Sequence, residues 1–411
     1  MVKKVEVPQS KDNSELPLSG VRILAAEQMQ ALPYATQLLA SFGAEVVKVE
    51  HPSRGDLGRS GLPNTIGIDD KPVGATFLRN NLYKKSIGLD LKSTDGQNIF
   101  RKLAKNFDVI AENYKPGTME KFSLGYTDLR DTCPKIIYLS LSGFGNLVET
   151  PYKSWPAFAP VAEAMSGIYN FNRSADEPLK VSPVGALGDT GTGLFAVIGV
   201  LTALHRLERF GEGSYIDISM FDSMVAFADI VPNYYSMGKD PRTPSLLINH
   251  GFKTAKGEII IQIGREHQFE AFAIRIGKPD WVQAERFSTR AGWVENIQEI
   301  IDQFAVWAGD RELISVCEDL AAVGIAAAPV FEASDVVNDP HVKAREMLLP
   351  VETNGEHNVL TAGNPVRIDG VGKRGLTPPP SLGADTKSLL MSELELSENE
   401  YQDLLKRGVV S

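Results

Sequence analysis

The residue with the clearest chemical potential is Asp189, in the glycine-rich segment VGALGDTGTG at 184–193, which runs into an apolar stretch. An aspartate there can cap the N-terminus of a helix, an ordinary structural role. It can also act as a nucleophile, because a carboxylate has no proton to lose at neutral pH. Four glycines in nine positions cost backbone entropy. We therefore expect Gly188 and Gly191 to give a substrate clearance and to offer bare N–H groups to an oxyanion.

Three other kinds of site do not fit the pattern. The turn after the first predicted strand reads AAEQMQALP and lacks the glycines of a dinucleotide-binding turn. No lysine follows the glycines at 188–193, so this segment is not a Walker-type phosphate loop. The six histidines show no metal-ligand spacing, and the two cysteines, Cys133 and Cys317, suggest neither a disulfide framework nor a metal cluster. We expect no metal.

Composition limits the class of protein. The chain has 411 residues, of which 43% are hydrophobic and 23% charged, as in a soluble globular protein of about two domains. Its net charge of −10 argues against a nucleic-acid surface. Residues 1–16 lack the apolar core of a signal peptide, and the apolar stretch Leu194–Leu204 is too short to span a bilayer. These features predict a cytoplasmic protein that contacts no membrane.

The elements that would position Asp189 alternate between strands and helices. Buried strands are predicted at 20–26, 45–50, 85–91, 108–113, 135–145 and 214–220, with amphipathic helices among them and a helix over 194–207. This order predicts a Rossmann-like α/β domain with a parallel sheet. A hairpin over 252–264, with Lys256-Gly257 at its turn, and several later helices predict a smaller α+β domain. The expected division is a tail at 1–16, a large domain at 17–225, a linker at 226–249, a small domain at 250–330 and a C-terminal segment at 331–411 that returns to the large domain.

Several segments together resemble one known family. GALGD followed by GTG and an apolar helix resembles the nucleophile segment of the class III CoA-transferases, the CaiB/BaiF family of formyl-CoA and carnitine CoA-transferases. The resemblance covers about residues 17–411. Its other motifs are GAEVVKVEHPSRGDLGR, NLYKKSIGLDLKSTDGQNIF, DVIAENYKPGTMEKFSLGY, GEGSYIDISMFDSMVAF, NDPHVKAREM and PSLGADT.

The resemblance implies a specific reaction. CoA moves from an acyl-CoA donor to a carboxylic acid through a mixed anhydride on Asp189 and then an aspartyl-CoA thioester. It aligns Gln30 with a glutamine that contacts active-site carbonyls, although a surface role at a helix start would also suit this residue. Coenzyme A is then a substrate, and no tightly bound cofactor is expected. The family fold implies an interlocked homodimer.

The resemblance also implies contacts to CoA. These fall at the end of the first strand and along the nucleotide and pantetheine: Gln28, Met29, Ala31, His51, Leu91, Lys92, Asn113, Tyr114 and Lys121. His51 stands where relatives often have arginine, and a histidine is mostly neutral at pH 7, so one phosphate contact is weakened. Each lysine taken alone also suits a solvated surface.

Two alternatives and the acid substrate stay open. Racemases of the same fold need a base on each face of the carbon beside the thioester, a histidine and an aspartate. The histidine position here is Phe158, and no histidine lies between 52 and 204. The chain could also be one subunit of a heteromeric CoA-transferase. Oxalate-linked members carry a run of glycines over the nucleophile that 235–260 lacks, so we expect a larger acid, aromatic or succinate-like, with succinyl-CoA or acetyl-CoA as donor.

Overall fold

The computed structural model describes residues 16–171, 178–179, 181, 186–242 and 246–411. They form two compact units. The larger unit contains the chain up to Phe171, its continuation to Gly238, and Glu346–Ser411, while the smaller unit contains Lys239–Arg345. The stretch 226–249, interpreted from sequence as a linker, contains a helix, Ile230–Ser236, that belongs to the larger unit.

Strands of the described residues fall into four sheets. In chain order they are β1 (Arg22–Ala26), β2 (Glu45–Glu50), β3 (Asn64–Ile66), β4 (Pro72–Gly74), β5 (Lys85–Gly88), β6 (Val109–Glu112), β7 (Ile137–Ser142), β8 (Ser214–Ser219), β9 (Ile248–Thr254), β10 (Gly257–Ile263), β11 (Ala326–Pro329), β12 (Leu348–Val351) and β13 (Val359–Ala362).

Helices connect and cover these strands. They are α1 (Ala31–Ser41), α2 (Ala75–Asn80), α3 (Thr94–Ala104), α4 (Thr118–Lys121), α5 (Tyr126–Leu129), α6 (Ala159–Met165), α7 (Leu187–Phe210), α8 (Met220–Phe227), α9 (Ile230–Ser236), α10 (Glu266–Arg275), α11 (Arg290–Glu295), α12 (Ile297–Ala308), α13 (Leu313–Ala321), α14 (Ala333–Asn338), α15 (Pro340–Ala344), α16 (Thr386–Leu394) and α17 (Glu398–Lys406).

The main sheet of the larger unit has six parallel strands in the order β5-β2-β1-β6-β7-β8, which confirms the predicted α/β fold. Its strands are buried on both faces, as parallel strands usually are, and this explains their nearly continuous apolar runs. On one face Leu24 and Ile110 pack with α3, α16 and α17, and on the other Ile23 and Val109 pack with α1, α7 and α8. Both faces are thus covered by helices.

The strand order reverses beside β1. From β1 the chain goes to β2 and β5 on one side and later to β6, β7 and β8 on the other. Connections therefore leave the carboxyl ends of β1 and β6 in opposite directions, which opens a crevice between them. Open α/β sheets bind ligands at such a switch point. The segments after Ala26 and Glu112 are the ones placed there.

The C-terminal segment is tied to the edge strand β5. Asp385 Oδ2 accepts the N–H of Ser86 at 2.9 Å, and Thr386 Oγ1 accepts the N–H of Gly88 at 3.0 Å. Leu390 in α16 is fully buried in the core under this side of the sheet. The last helices are therefore part of the larger unit's core.

The smaller unit has its own antiparallel sheet and core. β9 and β10 form a hairpin that overlaps the one predicted over 252–264, with Ala255 and Lys256 between the strands, and β11 pairs with the other edge of β10. Trp281, Trp293 and Phe304 are almost fully buried in its core. A separate apolar core is what lets such a unit form a compact body.

Helix α7 is longer than the predicted helix. It begins at Leu187 and has 24 residues, and it is long and apolar enough to cross a membrane by length and composition alone. Ala196, Val200 and Ala203 on one of its faces are buried in the core that also contains α1. The helix therefore acts as a core helix of the larger unit.

Candidate active site

Asp189 lies in the first turn of α7, as the third residue of the helix. Ala186 is the residue before the helix and has a left-handed backbone, with φ of 62°, and no side chain caps this end. Asp189 is therefore not the helix cap that its sequence context allowed. Its side chain is half-buried, and its backbone N–H is donated to the Ala186 carbonyl at 3.1 Å.

The glycines around Asp189 serve helix packing. A Cβ at Gly188 would lie 2.9 Å from Ala159 Cα in α6, and one at Gly191 would lie 2.6 Å from the Phe227 ring in α8. The Gly188 N–H is donated to the Glu163 carboxylate at 2.8 Å. The expectation of substrate clearance and bare oxyanion donors at Gly188 and Gly191 is thus replaced by a different role, since neighbouring helices fill the space beside them.

A third glycine joins α7 to the start of α1. A Cβ at Gly193 would lie 2.8 Å from the backbone oxygen of Ala31, which is the first residue of α1 and is buried. Gln30 immediately precedes α1 and is also buried, and its Oε1 accepts a hydrogen bond from Arg79 Nη2 at 2.6 Å. The structure therefore brings Gln30 and the first turns of α1 and α7 into one region.

The electrostatics of Asp189 suit a reactive carboxylate. Burial, followed by the negative charge of Glu163, raises the pKa of Asp189 to about 6, and the Arg79 cation opposes part of this rise. Asp189 is still ionised at neutral pH but is more basic than an ordinary aspartate. A more basic carboxylate is a better nucleophile.

Glu163 was missed by sequence reasoning. It lies on α6 and is 1% exposed, and besides the Gly188 N–H it accepts the hydroxyl of Tyr169. Its signal was a single carboxylate in the apolar run APVAEAMSG.

The turn with Gln28 and Met29 occupies the switch point of the sheet. The Gln28 N–H is donated to Asn113 Oδ1 at 2.9 Å, and Asn113 Nδ2 is donated back to the Gln28 carbonyl at 3.0 Å. Met29 has φ of 64° and a side chain that is 40% exposed. Two predicted CoA contacts, 85 residues apart, thus form one structure, which presents Met29 outward.

A buried ion cluster supports this turn. Lys48 Nζ lies 2.7 Å from Asp56 Oδ2, and Asp56 Oδ1 accepts the Met29 N–H at 2.9 Å. Glu27 Oε1 lies 2.7 Å from Lys84 Nζ and 3.5 Å from Lys48 Nζ, and all four charged side chains are fully buried. Burial lowers the pKa of Lys84 to about 8, with Glu27 opposing the shift. Sequence reasoning assigned no role to this cluster.

The other predicted CoA residues follow the carboxyl ends of neighbouring strands. His51 follows β2, Leu91 and Lys92 come after β5, and Tyr114 follows β6, while Lys121 ends α4. Lys92 and Lys121 are exposed. Leu91 is buried in the core below the sheet. His51, Lys92 and Tyr114 therefore lie at the carboxyl edge of the main sheet, and Leu91 lies in the core below that edge.

No cluster of metal-ligating side chains is found among the described residues.

Phe158 lies beside the first turn of α7. Phe158 precedes Ala159, whose backbone contacts Gly188, and its side chain is 70% exposed. An aromatic hydrocarbon cannot act as the second base of a racemase.

Comparison with known proteins identifies the family. A family model described as CoA-transferase family III matches residues 18–386. The chain is 36% identical over 363 residues to a succinyl-CoA:mesaconate CoA-transferase of Haloarcula marismortui, which covers 85% of this chain and 90% of that protein. It is 30% identical over 411 residues to the succinyl-CoA–L-malate CoA-transferase beta subunit of Chloroflexus aurantiacus, which covers 96% and 98% of the two chains.

The structure agrees with this assignment. The crystal structure of a CAIB/BAIF family protein from Brucella suis matches with a TM-score of 0.81 at 28% identity, over 92% of this chain and 100% of that chain. The chain therefore belongs to CoA-transferase family III and is a CoA-transferase, as the sequence motifs predicted. Its substrates accordingly include a CoA thioester.

Proposed function

We propose that Asp189 carries the acyl group and then CoA during transfer. The observation that supports this most is the half-buried Asp189 carboxylate in the first turn of α7, whose pKa is raised to about 6. Its helix packs through Gly193 against the start of α1, where Gln30 accepts a hydrogen bond from Arg79 of α2, and it lies in the same unit as the Gln28–Met29 turn. A reactive carboxylate and a candidate thioester-binding turn thus belong to one compact body.

The steps balance without a cofactor. An Asp189 oxygen attacks the thioester carbonyl, the C–S bond breaks, and a mixed anhydride and CoA thiolate form. The thiolate attacks the Asp189 carbonyl of the anhydride, which releases the first acid and leaves an aspartyl-CoA thioester. The acceptor carboxylate attacks that thioester and expels the thiolate. The thiolate then attacks the acceptor's acyl carbon, giving the new acyl-CoA and free Asp189.

Gln30 and Arg79 would stabilise these steps. The Gln30 oxygen already holds Arg79, which leaves the amide N–H₂ of Gln30 for a substrate carbonyl. Removing a donor to a developing oxyanion typically costs roughly 3–4 kcal/mol. Because anhydrides hydrolyse, the burial of Gln30 and partial burial of Asp189 also help by limiting water.

CoA would lie along the carboxyl edge of the sheet. Met29 projects from the switch-point turn toward the thioester, beside Gln28 and Ala31. The nucleotide and pantetheine would be held by His51, Lys92, Asn113, Tyr114 and Lys121, while buried Leu91 would support this edge from beneath. Exposed Lys92 and Lys121 supply the positive charge that phosphates require.

For substrates, we infer succinyl-CoA as donor and a C4 or C5 dicarboxylic acid of the mesaconate type as acceptor. The named relatives use succinyl-CoA with mesaconate or L-malate. Arg79 is an exposed cation whose charge reaches Asp189, so it can pair with the second carboxylate of such an acid. The exposed Phe158 ring would favour an acid with an apolar or unsaturated carbon chain.

We further infer a cytoplasmic interlocked homodimer in which the exposed apolar face of α7 is covered by a second copy. Leu194, Ile198 and Leu201 on this face are 40–58% exposed in the single chain. Contiguous exposed apolar surface of this kind marks an interface. Since the Chloroflexus relative is a beta subunit, native mass spectrometry of the pure chain separates a homodimer from a chain that needs another subunit.

The test uses Asp189→Ala, with Asp222→Asn as matched control. Asp222 is the third residue of α8, so its substitution removes a first-turn charge of the same kind from a helix that does not carry the proposed nucleophile. Succinyl-CoA followed by hydroxylamine should leave a hydroxamate on Asp189 that peptide mass spectrometry detects. The variant should lose at least about 10³-fold in kcat while the control keeps its turnover. No adduct together with undiminished turnover in Asp189→Ala would refute the proposal, and α-carbon deuterium exchange without CoA transfer would point to a racemase.

A further inference from the structure

Glu163 presents an unexplained charge beneath the first turn of α7. Its side chain is buried on α6, Oε1 accepts the Gly188 N–H at 2.8 Å, and Oε2 accepts the Tyr169 hydroxyl. Within the described part of the chain, no lysine or arginine forms an ion pair with it. Burying a carboxylate without a cation costs several kcal/mol, even when hydrogen bonds partly compensate.

The hydrogen bonds do not require that charge. A glutamine could accept the Gly188 N–H through its oxygen and donate to the Tyr169 oxygen through its nitrogen. A neutral residue would therefore position the turn equally well at lower desolvation cost. The negative charge of Glu163 therefore needs a separate explanation. Asp189 follows Gly188 directly in the chain, so it is the nearest group along the chain on which this charge can act.

We propose that Glu163 is a positioning residue that fixes the first turn of α7 through Gly188 and, through its charge, makes the Asp189 carboxylate a stronger nucleophile. This inference rests on the proposed role of Asp189 as acyl acceptor.

The electrostatic logic follows the charge of Asp189 during the reaction. Free Asp189 is an anion that Glu163 repels, whereas acyl-Asp189 and aspartyl-CoA are neutral. The repulsion is therefore present before attack and is relieved when the anhydride forms, which lowers the barrier. The raised pKa of Asp189, in which the Glu163 charge is the second cause after burial, agrees with this.

The other groups around Asp189 leave this role to Glu163. From α2, Arg79 acts in the opposite sense and lowers the pKa of Asp189. α1 presents Tyr34 against Gly193, and α8 presents the uncharged Met224 and Phe227 against Gly191. Tyr169 donates its hydroxyl to Glu163. Among the described residues, the Asp189 carboxylate thus experiences one anion, Glu163, and one cation, Arg79. Glu163 raises the pKa of Asp189 and its reactivity, whereas Arg79 lowers that pKa and favours the ionised form.

The experiment compares Glu163→Gln with the wild-type enzyme across pH, with succinyl-CoA as substrate. The acid limb of kcat/KM reports ionisation of Asp189 in the free enzyme, and it should lie near pH 6 in the wild type. In E163Q the limb should move to lower pH by about one unit, because the repelling charge is gone. At pH 8, kcat should fall roughly threefold to tenfold while KM for succinyl-CoA changes little, since no CoA contact is removed.

Two further variants separate charge from structure. Asp108→Asn is the matched control, because Asp108 also holds a backbone N–H, that of Arg22 at 2.8 Å, but at the opposite end of β1. It should leave limb and kcat unchanged. If E163Q fails to fold, Tyr169→Phe is measured instead: losing the hydroxyl leaves the Glu163 charge less screened beneath the first turn of α7, so the limb should move to higher pH.

The outcomes are distinguishable from failure of the proposed function. If hydroxylamine traps no Asp189 adduct in the wild type, the proposed function fails. If the adduct forms and the limb and kcat of E163Q match the wild type, Glu163 has no activating role and this inference is overturned. An unmoved limb in Tyr169→Phe, where that variant is the one measured, overturns it as well.

Discussion

Two turns that meet the candidate substrate region are fixed by opposite means. The Gln28–Met29 turn rests on fully buried charges, with Lys48 paired to Asp56 and Asp56 holding the Met29 N–H. The first two turns of α7 rest on glycine contacts with three helices and on one carboxylate, Glu163. One turn is anchored by ion pairs and the other by close packing.

The difference follows from what each turn must do. A lysine buried next to Asp189 would pair with it, lower its pKa and weaken it as a nucleophile. Close packing holds a carboxylate without neutralising it. The turn beside β1 has no such restriction, because its proposed task is to bind, and ion pairs with well-placed hydrogen bonds fix a backbone firmly. The following variants test this contrast, starting with the largest expected effect.

Asp56→Asn attacks the ion-anchored turn. The new amide would direct N–H₂ at Lys48 Nζ, 2.7 Å away, so a buried lysine would face a donor in place of its anion. We expect a loss of about 3 kcal/mol in unfolding free energy, measured in urea. KM for the acyl-CoA should rise because the unpaired lysine displaces residue 56, whose Oδ1 holds the Met29 N–H. Asp335→Asn, which alters an exposed capping carboxylate of α14, is the control and should change neither value. A destabilised enzyme with normal KM would contradict CoA binding at this turn.

Gly193→Ala attacks the packed turn. Its Cβ would lie 2.8 Å from the Ala31 backbone oxygen and 2.9 Å from Tyr34 Cδ1, so α7 must move away from α1. Such overpacking costs about 1–3 kcal/mol, and kcat should fall further than stability alone explains because Asp189 shifts relative to Gln30.

The control for this variant lies two turns along the same helix. In Gly199→Ala the Cβ would lie 2.9 Å from Ile216 Cγ2 and 3.8 Å from Ile218 Cδ1, which are side-chain and not backbone atoms, and alanine gains about 1 kcal/mol of helix propensity. Its stability should stay near the wild-type value, with normal turnover. Equal losses of kcat in both variants would show that the contact with α1 does not position Asp189.

The sequence was sufficient for the sheet and for the identity of the family. Strands such as β1 and β7 are buried on both faces and form largely apolar runs that could not be mistaken for surface helices. Motifs in register along the chain marked the family. These signals are local, so they can be recognised without knowledge of the tertiary structure.

The reasons behind the motifs were harder to predict. From sequence, the glycines around Asp189 were interpreted as open space for a substrate, and the helix was expected to begin at 194 and not at Leu187. What fills the space beside each glycine is set by the positions of α1, α6 and α8, which the sequence does not give. Glu163 resembled one polar residue on an ordinary amphipathic helix. Its burial depends on Gly188, 25 residues away. Contacts of this kind are tertiary and carry no local pattern.

A third carboxylate at the same sheet edge sharpens the contrast, because it has hydrogen bonds but no cation among the described residues. Glu112 ends β6 and is buried, and it accepts the Tyr114 N–H at 2.9 Å and the Ser140 hydroxyl. Burial raises the pKa of Glu112 to about 7, against an ordinary value of 4.5. The folded protein therefore binds this proton more tightly than the unfolded chain does.

The sign of the pH dependence follows directly. Below about pH 4.5 the side chain is protonated in both states and its stabilising contribution is fully present; this contribution is lost as pH rises through 7, where the buried group ionises. Glu112→Gln cannot ionise, so it should raise the unfolding free energy at pH 8 by about 2 kcal/mol and change it little at pH 4.5. Urea unfolding at both pH values measures this difference. An equal effect at the two pH values would show that Glu112 is not a buried ion at pH 8. The proposed contrast between this unpaired carboxylate and the ion-paired carboxylates of the Gln28–Met29 turn would then fail.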